Sequence, residues 1–272
     1  MMSKFTILFA IARKEFVDHL RNGWIIAVGL AFAIFSLLIT FVGFGFTGSV
    51  GIGQEQSTLF SLINLVIYLV PLLGLLLSYD GIAGEHERGT LDLLRSYPFN
   101  SLLLLYGKWL GLFMVLASTL IVGLTAPAII SIVSGHTLQA WTVLLVTSVW
   151  VGIVFNSIAL MFSVLILERS RLIAIAIGIW LLFVVLFDLG VIGLLVSTEG
   201  NVPMDLVNLL FYLNPTALYR LLSIDLIMDQ AMIQQLGLAG QIPPTVALIA
   251  AFAAWTVVPV VIAGWRIRRL GK

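Results

Sequence analysis

Residues 80–108, DGIAGEHERGTLDLLRSYPFNSLLLLYGK, are the main charged island between the long apolar segments of this chain. Each charge in this stretch would cost several kcal/mol in the hydrocarbon of a membrane. The stretch therefore lies in water, and the apolar segments on either side of it enter the membrane. Gly89 interrupts the stretch, Thr90 is suited to start a helix, and Pro98 ends that helix.

A short amphipathic helix is therefore predicted after Gly89, with an apolar side formed by Leu91, Leu93 and Leu94. Such a helix has the right shape to insert into a groove on another protein. A solvated loop whose charges keep the neighbouring spans apart is the alternative interpretation, and the physics of the sequence leaves both open.

The composition excludes a soluble domain. Hydrophobic residues make up 61% of the 272 residues and charged residues 10%, whereas a soluble domain carries about 25% charged residues. The absence of cysteine excludes disulfide bonds, thiolate metal sites and cysteine nucleophiles. The net charge of +1 points to no nucleic-acid partner. We expect no cleaved signal peptide, because the first apolar run is too long for one.

Six apolar runs are each long enough to cross about 30 Å of hydrocarbon as a helix. They are residues 24–46, 59–79, 109–134, 141–167, 172–197 and 245–265. Only helices satisfy their own backbone hydrogen bonds within lipid. The sequence therefore predicts an all-α polytopic membrane protein, with one domain of six transmembrane helices over residues 1–272.

Two further helical regions are predicted outside the spans. About residues 5–22 form an amphipathic helix that lies in the membrane surface before the first span. About residues 198–244 form a helical cap on the outer side, with helices over 203–213 and 215–235 and Asn214 as a natural helix cap. The cap either seals the bundle or meets an outer partner through its acidic residues, Glu199, Asp205, Asp225 and Asp229.

Basic residues predict the orientation of the chain. Of the 14 lysine and arginine residues, all except Arg220 fall on the side of a six-span bundle that holds both termini. That side is predicted to be the cytoplasm.

Asp188 is the one carboxylate within a predicted span, and ionisable residues there are functional candidates. The helical rise places it near the outer leaflet, where it either pairs with Arg220 or reaches interfacial water. These two residues, with Asn64 and Asn156, are our candidates for an outer gate or a transport pathway.

The sequence contains no HExxH, GxSxG or GxxxxGK[ST] motif. We therefore expect no catalytic residue and no metal site, and ATP cannot bind through a Walker motif. A copper path is also not expected, because the mid-span methionines, Met114 and Met161, fall on different helices and Cu(I) needs soft ligands within reach of one another.

The pattern Glu85-x-x-x-Gly89-Thr90-Leu91-x-x-Leu94 resembles the first cytoplasmic loop of six-span, exporter-class ABC permeases. Motifs over nearly the full length extend the likeness to the permease family of NosDFY-type ABC transporters, which serve nitrous oxide reductase maturation. These motifs are IARKE at 11–15, LLSYDGIAGE at 76–85, YP at 97–98, GK at 107–108, FDL at 187–189, STEG at 197–200, LNPT at 213–216 and YR at 219–220.

The resemblance implies a homodimer in the inner membrane of a bacterium or archaeon, two cytoplasmic NosF-like ATPase subunits that bind ATP and Mg²⁺, and a periplasmic NosD-like partner. It implies that residues 5–22 are an elbow helix and that the helix after Gly89 couples to the ATPase, through Glu85, Gly89, Thr90, Leu91 and Leu94. It also implies support for copper–sulfide centre assembly, by supplying sulfur or by mechanical work on the outer partner. An exporter of lipid or another amphiphile and a mechanical transmitter that passes no substrate are the alternatives, while an intramembrane enzyme lacks the residues.

The orientation can be tested by labelling, because the chain has no native cysteine. Single cysteines at Ser57 and Gln234 are expected to react with a membrane-impermeant thiol reagent added outside the cell. Cysteines at Ser96 and Ser170 are expected to react only after the membrane is opened. Labelling of Ser96 from outside would overturn the orientation.

Overall fold

The computed structural model describes residues 4–45, 52–89, 101–133, 138–235, 237 and 242–270. Over these residues the chain is helical and contains no strand. The elements are α1 (Lys4–Leu20), α2 (Gly23–Gly45), α3 (Ile52–Ser78), α4 (Ala83–Glu87), α5 (Ser101–Val133), α6 (Leu138–Leu165), α7 (Arg169–Trp180), a π-helix (Leu181–Leu186), α8 (Phe187–Ser197), α9 (Met204–Tyr212), α10 (Pro215–Ile227), α11 (Gln230–Gln235) and α12 (Thr245–Leu270).

Within the described residues, six helical stretches are long and apolar enough to cross a membrane. In chain order these spans are α2, α3, α5, α6, the continuous helix of α7, the π-helix and α8, and α12. The all-α, six-span prediction is therefore confirmed. The third span begins at Ser101 rather than near residue 109, because Lys108 finds partners within the protein and need not mark the end of a helix.

The two ends of the bundle differ in charge. We call the end that holds α1, α4 and the C-terminus of the sixth span the basic end, and the opposite end the far end.

The predicted coupling helix, with Thr90, Leu91 and Leu94, lies outside the described residues. Gly89, which was predicted to interrupt the charged stretch before a new helix, follows α4 and has a φ of +69°, a conformation that glycine adopts readily.

The fourth span lies at the centre of the bundle. In its most apolar stretch of 18 residues, 67% of the residues are buried inside the protein, compared with 17% in the corresponding stretch of the fifth span. Its buried residues, including Val151 and Phe155, share one hydrophobic core with Leu62 and Ile63 of the second span and Leu116 of the third. The fifth span instead leaves many apolar side chains exposed, and these require lipid or protein to cover them.

α1 packs closely against the start of the third span. A Cβ atom on Gly107 would lie 2.8 Å from the Cβ of Ile11, and one on Gly111 would lie 2.6 Å from the Ala12 carbonyl oxygen. Glycine is therefore required at both positions for the two helices to approach. A helix is thus present where an elbow helix was predicted, and Phe5, which is 83% exposed, remains available for membrane contact.

The segment before the sixth span is helical, as predicted, but it enters the bundle rather than lying over it. α9 and α10 form a hairpin, and most of α10 is buried. At its tip, the side-chain nitrogen of Asn214 donates a hydrogen bond of 2.8 Å to the carbonyl oxygen of Phe183, the midpoint of the fifth span. The hairpin therefore reaches the middle of the bundle, where irregular backbone is tolerated only when protein surrounds it.

The second predicted helix of this segment, over 215–235, is divided in two. α10 ends at Ile227, and Met228 has extended backbone with a ψ of 147°. Asp229 then precedes the short α11, in the position where Asp is favoured before a helix. The predicted cap by Asn214 is confirmed, because its side-chain oxygen accepts hydrogen bonds from the backbone N–H groups of Thr216 and Ala217.

A π-helix in the middle of the fifth span receives this hairpin. The Phe187 N–H donates to the carbonyl oxygen of Leu182, five residues back, rather than to that of Phe183. The Phe183 carbonyl instead accepts from Asn214 and from the Thr216 hydroxyl, at 2.8 and 2.9 Å. π-Turns are rare and occur often at functional sites, so the hairpin and the fifth span are joined at an unusual point.

Replacing Asn214 with alanine should therefore destabilise the protein. The substitution removes the α10 cap and one of the two hydrogen bonds to Phe183, for a combined loss of about 2 kcal/mol. We expect a clearly lower thermal unfolding midpoint for the purified protein in detergent. Asn201→Ala, at an exposed position, is the control and should leave the midpoint unchanged; equal midpoints for both variants would contradict the role given to Asn214.

Candidate functional site

A buried lysine organises the basic end. Lys108 of the third span is 3% exposed, and its ammonium group donates to Glu15 Oε1 of α1 at 2.5 Å and to Glu85 Oε1 of α4 at 3.1 Å. Two carboxylates therefore surround one ammonium group, and all three side chains have little exposure to solvent. A buried ion is stable only when partners with good geometry satisfy it, so α1, α4 and the third span are held in one arrangement.

Further groups surround this cluster. Lys14 Nζ lies 3.9 Å from Glu85 Oε1 and its side chain is largely exposed. His19 Nδ1 lies 2.9 Å from the Glu15 backbone oxygen and 3.8 Å from its carboxylate. We refer to Lys108, Glu15, Glu85, Lys14 and His19 as the Lys108 cluster. Its charged groups alternate in sign, which reduces the repulsion between the two carboxylates.

Local structure positions Glu85 for this contact. The Ser163 hydroxyl of the fourth span accepts hydrogen bonds from the backbone N–H groups of Ile82 and Ala83, at 2.9 and 3.0 Å. These N–H groups lie at the start of α4 and have no partner within that helix. The serine therefore fixes α4 to the central span and directs Glu85 towards Lys108.

A second group of charges connects α4 to the fifth span. The backbone N–H of Arg169 donates to Glu87 Oε1 at 2.8 Å, and the Arg169 guanidinium lies 3.2 Å from Asp80 Oδ2. The same guanidinium donates to the Tyr79 hydroxyl at 3.2 Å. The loop between the second and third spans is thus attached to the fifth span as well as to α1.

These positions change the interpretation of Glu85. The sequence suggested that Glu85 contacts an ATPase, but its carboxylate is largely buried and bonded to Lys108. Glu85 and Lys108 instead lie on the two sides of residues 90–100, the segment predicted to contain the coupling helix. Their ion pair therefore joins α4 to α5, the two helices between which that segment lies in the chain.

At the far end, Asp188 and Arg220 form an ion pair. Arg220 Nη2 of α10 lies 2.8 Å from Asp188 Oδ2 of the fifth span, and both side chains are about one-third exposed. The predicted pairing of these residues is confirmed. The pair adjoins a cavity of about 240 Å³ whose other walls are apolar, formed by residues such as Phe187, Phe211 and Leu221.

A buried hydroxyl cluster attaches α10 to the fourth span. The Ser223 hydroxyl donates to Thr147 at 3.0 Å, and Ser148 and Tyr219 share a hydrogen bond of 3.2 Å. All four side chains are almost completely buried. Hydrogen bonds between partners on the two helices satisfy groups that would otherwise be costly in an apolar environment.

The other predicted pathway residues are not brought together with this pair. Asn156 of the fourth span lies toward the basic end, where it contacts Ser78 and the Trp109 carbonyl oxygen. Asn64 donates to the Phe60 carbonyl of its own helix. Within the described part of the chain, neither asparagine is hydrogen-bonded to Asp188 or Arg220.

The four acidic residues predicted to meet an outer partner differ in exposure. Glu199, Asp205 and Asp229 are exposed, and Glu199 has a φ of +51° in the turn after the fifth span. Asp225 is partly buried and accepts a hydrogen bond of 2.6 Å from Thr245, at the start of the sixth span. Asp225 therefore also has a structural contact within the chain.

Neither Lys108 nor Glu15 was predicted from the sequence to be a site residue. A lysine between Gly107 and Gly111 at the start of a long apolar run was the available signal, because closely packed glycines indicate that another helix covers that lysine. Among the residues that the structure describes, no group of three or more His, Asp or Glu side chains is placed to hold a metal ion.

Comparison with known proteins agrees with this architecture. The family model described as ABC-2 family transporter protein matches residues 9–269. A protein of Pseudomonas aeruginosa described as probable ABC transporter permease protein NosY is 38% identical over 256 residues, which cover 92% of this chain and 93% of that protein. A protein of Stutzerimonas stutzeri with the same description is 39% identical over 220 residues, which cover 79% and 80% of the two chains.

The family match spans almost the whole chain, and both relatives cover more than two thirds of it at above 30% identity. The matched region includes all six spans, the Lys108 cluster and the Asp188–Arg220 pair. This chain, a multi-pass membrane protein with six apolar helices, therefore belongs to the ABC-2 family of ABC transporter permeases.

Proposed function

We propose that this chain is the permease subunit of an ATP-driven transporter that supports assembly of the copper–sulfide centre of nitrous oxide reductase. Two copies would associate with two NosF-like ATPase subunits at the basic end and a NosD-like partner at the far end. The basic end would face the cytoplasm, in agreement with its basic residues. Similarity to two proteins named as NosY permeases supports this assignment.

The Lys108 cluster is the observation that carries the mechanism. Residues 90–100, including Thr90, Leu91 and Leu94, would enter a groove of the ATPase, with Gly89 as the turn before them. Movement of this segment acts on its base, where Glu85 and Lys108 are paired at 3.1 Å. Because Lys108 also holds Glu15, the movement would reach α1 and the third span together.

At the far end, the Asp188–Arg220 pair would act as a gate. It joins the fifth span to the hairpin, and both side chains are partly exposed beside a cavity. A shift between the fifth span and α10 would break this ion pair and open the far end. Exposed Glu199, Asp205 and Asp229, with the less accessible Asp225, would then form the surface that meets the outer partner.

The cargo we favour is a sulfur-containing species rather than copper. A Cu(I) path needs thiolate or thioether ligands within reach of one another, and the chain has no cysteine. A mechanical transmitter that passes no substrate is the second candidate. It is favoured by the apolar packing of the fourth span and by the separation of Asn64 and Asn156 from the gate pair.

The coupling role of the Lys108 cluster can be tested in two steps. Lys108→Met leaves Glu15 and Glu85 buried without their cation, and breaking a buried ion pair destabilises by about 3–5 kcal/mol. We expect much lower abundance in the membrane. Lys14→Met removes an exposed ammonium from the same cluster and should destabilise by about 0–1 kcal/mol, so it is the matched control.

The second step separates stability from coupling. The triple variant Lys108→Met, Glu15→Gln, Glu85→Gln removes all three charges and should recover normal abundance, since no buried ion is left unpaired. We expect it to retain the ATPase but to lose assembly of the copper–sulfide centre in cells. Full activity of the triple variant at normal abundance would show that the cluster only holds the fold.

The cargo is tested with Met114→Leu and Met161→Leu in one chain, supplied as the only permease of the cell. Leucine keeps the side-chain volume and removes the thioethers, so we expect the copper–sulfide centre to assemble normally. The measurement is the copper and sulfide content of the purified reductase. Loss of copper with sulfide supply intact would contradict the sulfur assignment and indicate a metal path.

A further inference from the structure

An apolar groove opens between the fourth, fifth and sixth spans. Its volume is about 580 Å³, and its walls include Phe162, Phe183, Ala254, Trp255 and Ile262. Tyr212, the last residue of α9, closes it toward the far end, where the Trp255 indole donates a hydrogen bond of 3.0 Å to the Tyr212 carbonyl oxygen. The hairpin therefore forms a fixed upper limit to the groove.

On the fourth and fifth spans the residues that line the groove lie between the middle of the helix and the basic end, and on the sixth span they extend across the middle of the helix. Along the sixth span its walls extend from Ala251 to Ile262, which corresponds to about 16 Å of helix at 1.5 Å per residue. One leaflet of a membrane has about 15 Å of hydrocarbon. The groove is thus about as long as the acyl region of one leaflet, and its lower end lies in the leaflet at the basic end.

An aromatic and cationic pair marks the interface below the groove. Trp265 is 55% exposed, and the Arg269 guanidinium lies 3.6 Å from the centroid of its ring. Exposed tryptophan and arginine at the end of a span are typical of the level of the lipid headgroups. Lipid phosphates of this leaflet would therefore lie near residues 265–269.

Arg266 lies one helical turn below the groove. It follows Ile262, the last groove residue of the sixth span, on the same face of the helix. Side chains on a helix lean toward its N-terminus, so an arginine at this position is within reach of the lower mouth of the groove. Across the described residues, Arg266 has neither an ion pair nor a side-chain hydrogen bond.

We propose that this groove holds one acyl chain of an anionic phospholipid from the leaflet at the basic end, with its phosphate bound by Arg266. The length of the groove, its apolar walls and the available cation at its mouth all match this ligand. Cationic pockets between spans on this side of membrane proteins bind anionic headgroups. The site is independent of the cargo and of the gate pair.

The test uses the purified transporter complex in nanodiscs that contain a small fraction of phosphatidylglycerol with a diazirine in its acyl chain. After irradiation, we expect labelled peptides from residues 251–262 and 158–162. The same probe with a phosphatidylcholine headgroup should label these peptides about tenfold less, since a charge-assisted contact is lost. Arg266→Gln should reduce phosphatidylglycerol labelling by a similar factor.

Two matched controls accompany these variants. Arg268→Gln removes a charge from another face of the same turn and should label as the wild type does. Ala254→Trp fills the groove and should abolish labelling, whereas Val257→Trp, on an exposed face outside the groove, should not.

Three results would each overturn the proposal. They are equal labelling by the two lipids, equal effects of Arg266→Gln and Arg268→Gln on labelling, and normal labelling of the Ala254→Trp variant. A second copy of the chain is the competing occupant. An Ala254→Cys variant that forms disulfide-linked dimers in membranes would place that copy in the groove and would also overturn it.

Discussion

The structure depends on a single buried ammonium group. Lys108 lies inside a helix that is otherwise apolar, and its charge is stable there only because Glu15 and Glu85 accept from it at 2.5 and 3.1 Å. Removal of Lys108 would leave two buried carboxylates without their cation, which is far more costly than loss of a surface ion pair. The positions of α1 and α4 are therefore fixed relative to the third span, and Gly107 and Gly111 provide the close approach that this contact requires.

The far end uses hydrogen bonds for the same purpose. The π-turn of the fifth span presents the Phe183 carbonyl to Asn214 and Thr216, and the hydroxyl cluster attaches α10 to the fourth span. Both ends thus converge on the central fourth span, through Ser163 at one end and Thr147 and Ser148 at the other. The buried fourth span thus connects the elements attached at the two ends of the bundle.

Much of the fold could be predicted, because the decisive signals were local. Apolar runs of about 20 residues can only be helices in lipid, and Asn214 followed by Pro215 specifies a helix start. Glu85 was identified as a site residue, but its ion pair with Lys108 was not predicted, since nothing near Glu85 in the chain indicates that Lys108 returns to meet it. Glu15 was missed for the same reason: its position on an amphipathic helix is compatible with water as well as with a buried cation. The pairing of Asp188 with Arg220 was one of two predicted environments, and only packing of the hairpin decided between them.

The sequence by itself determined the number of spans, the helical class, the basic and far ends and the helix caps, because each follows from the free energy of placing particular side chains in lipid or at a helix end. Only the tertiary structure decided which charges are paired, how deep the hairpin reaches and where the fifth span adopts a π-turn. These features depend on contacts between residues far apart in the chain, such as Phe183 with Asn214 and Glu15 with Lys108. Their free energy arises only when the helices pack, so no local pattern records them.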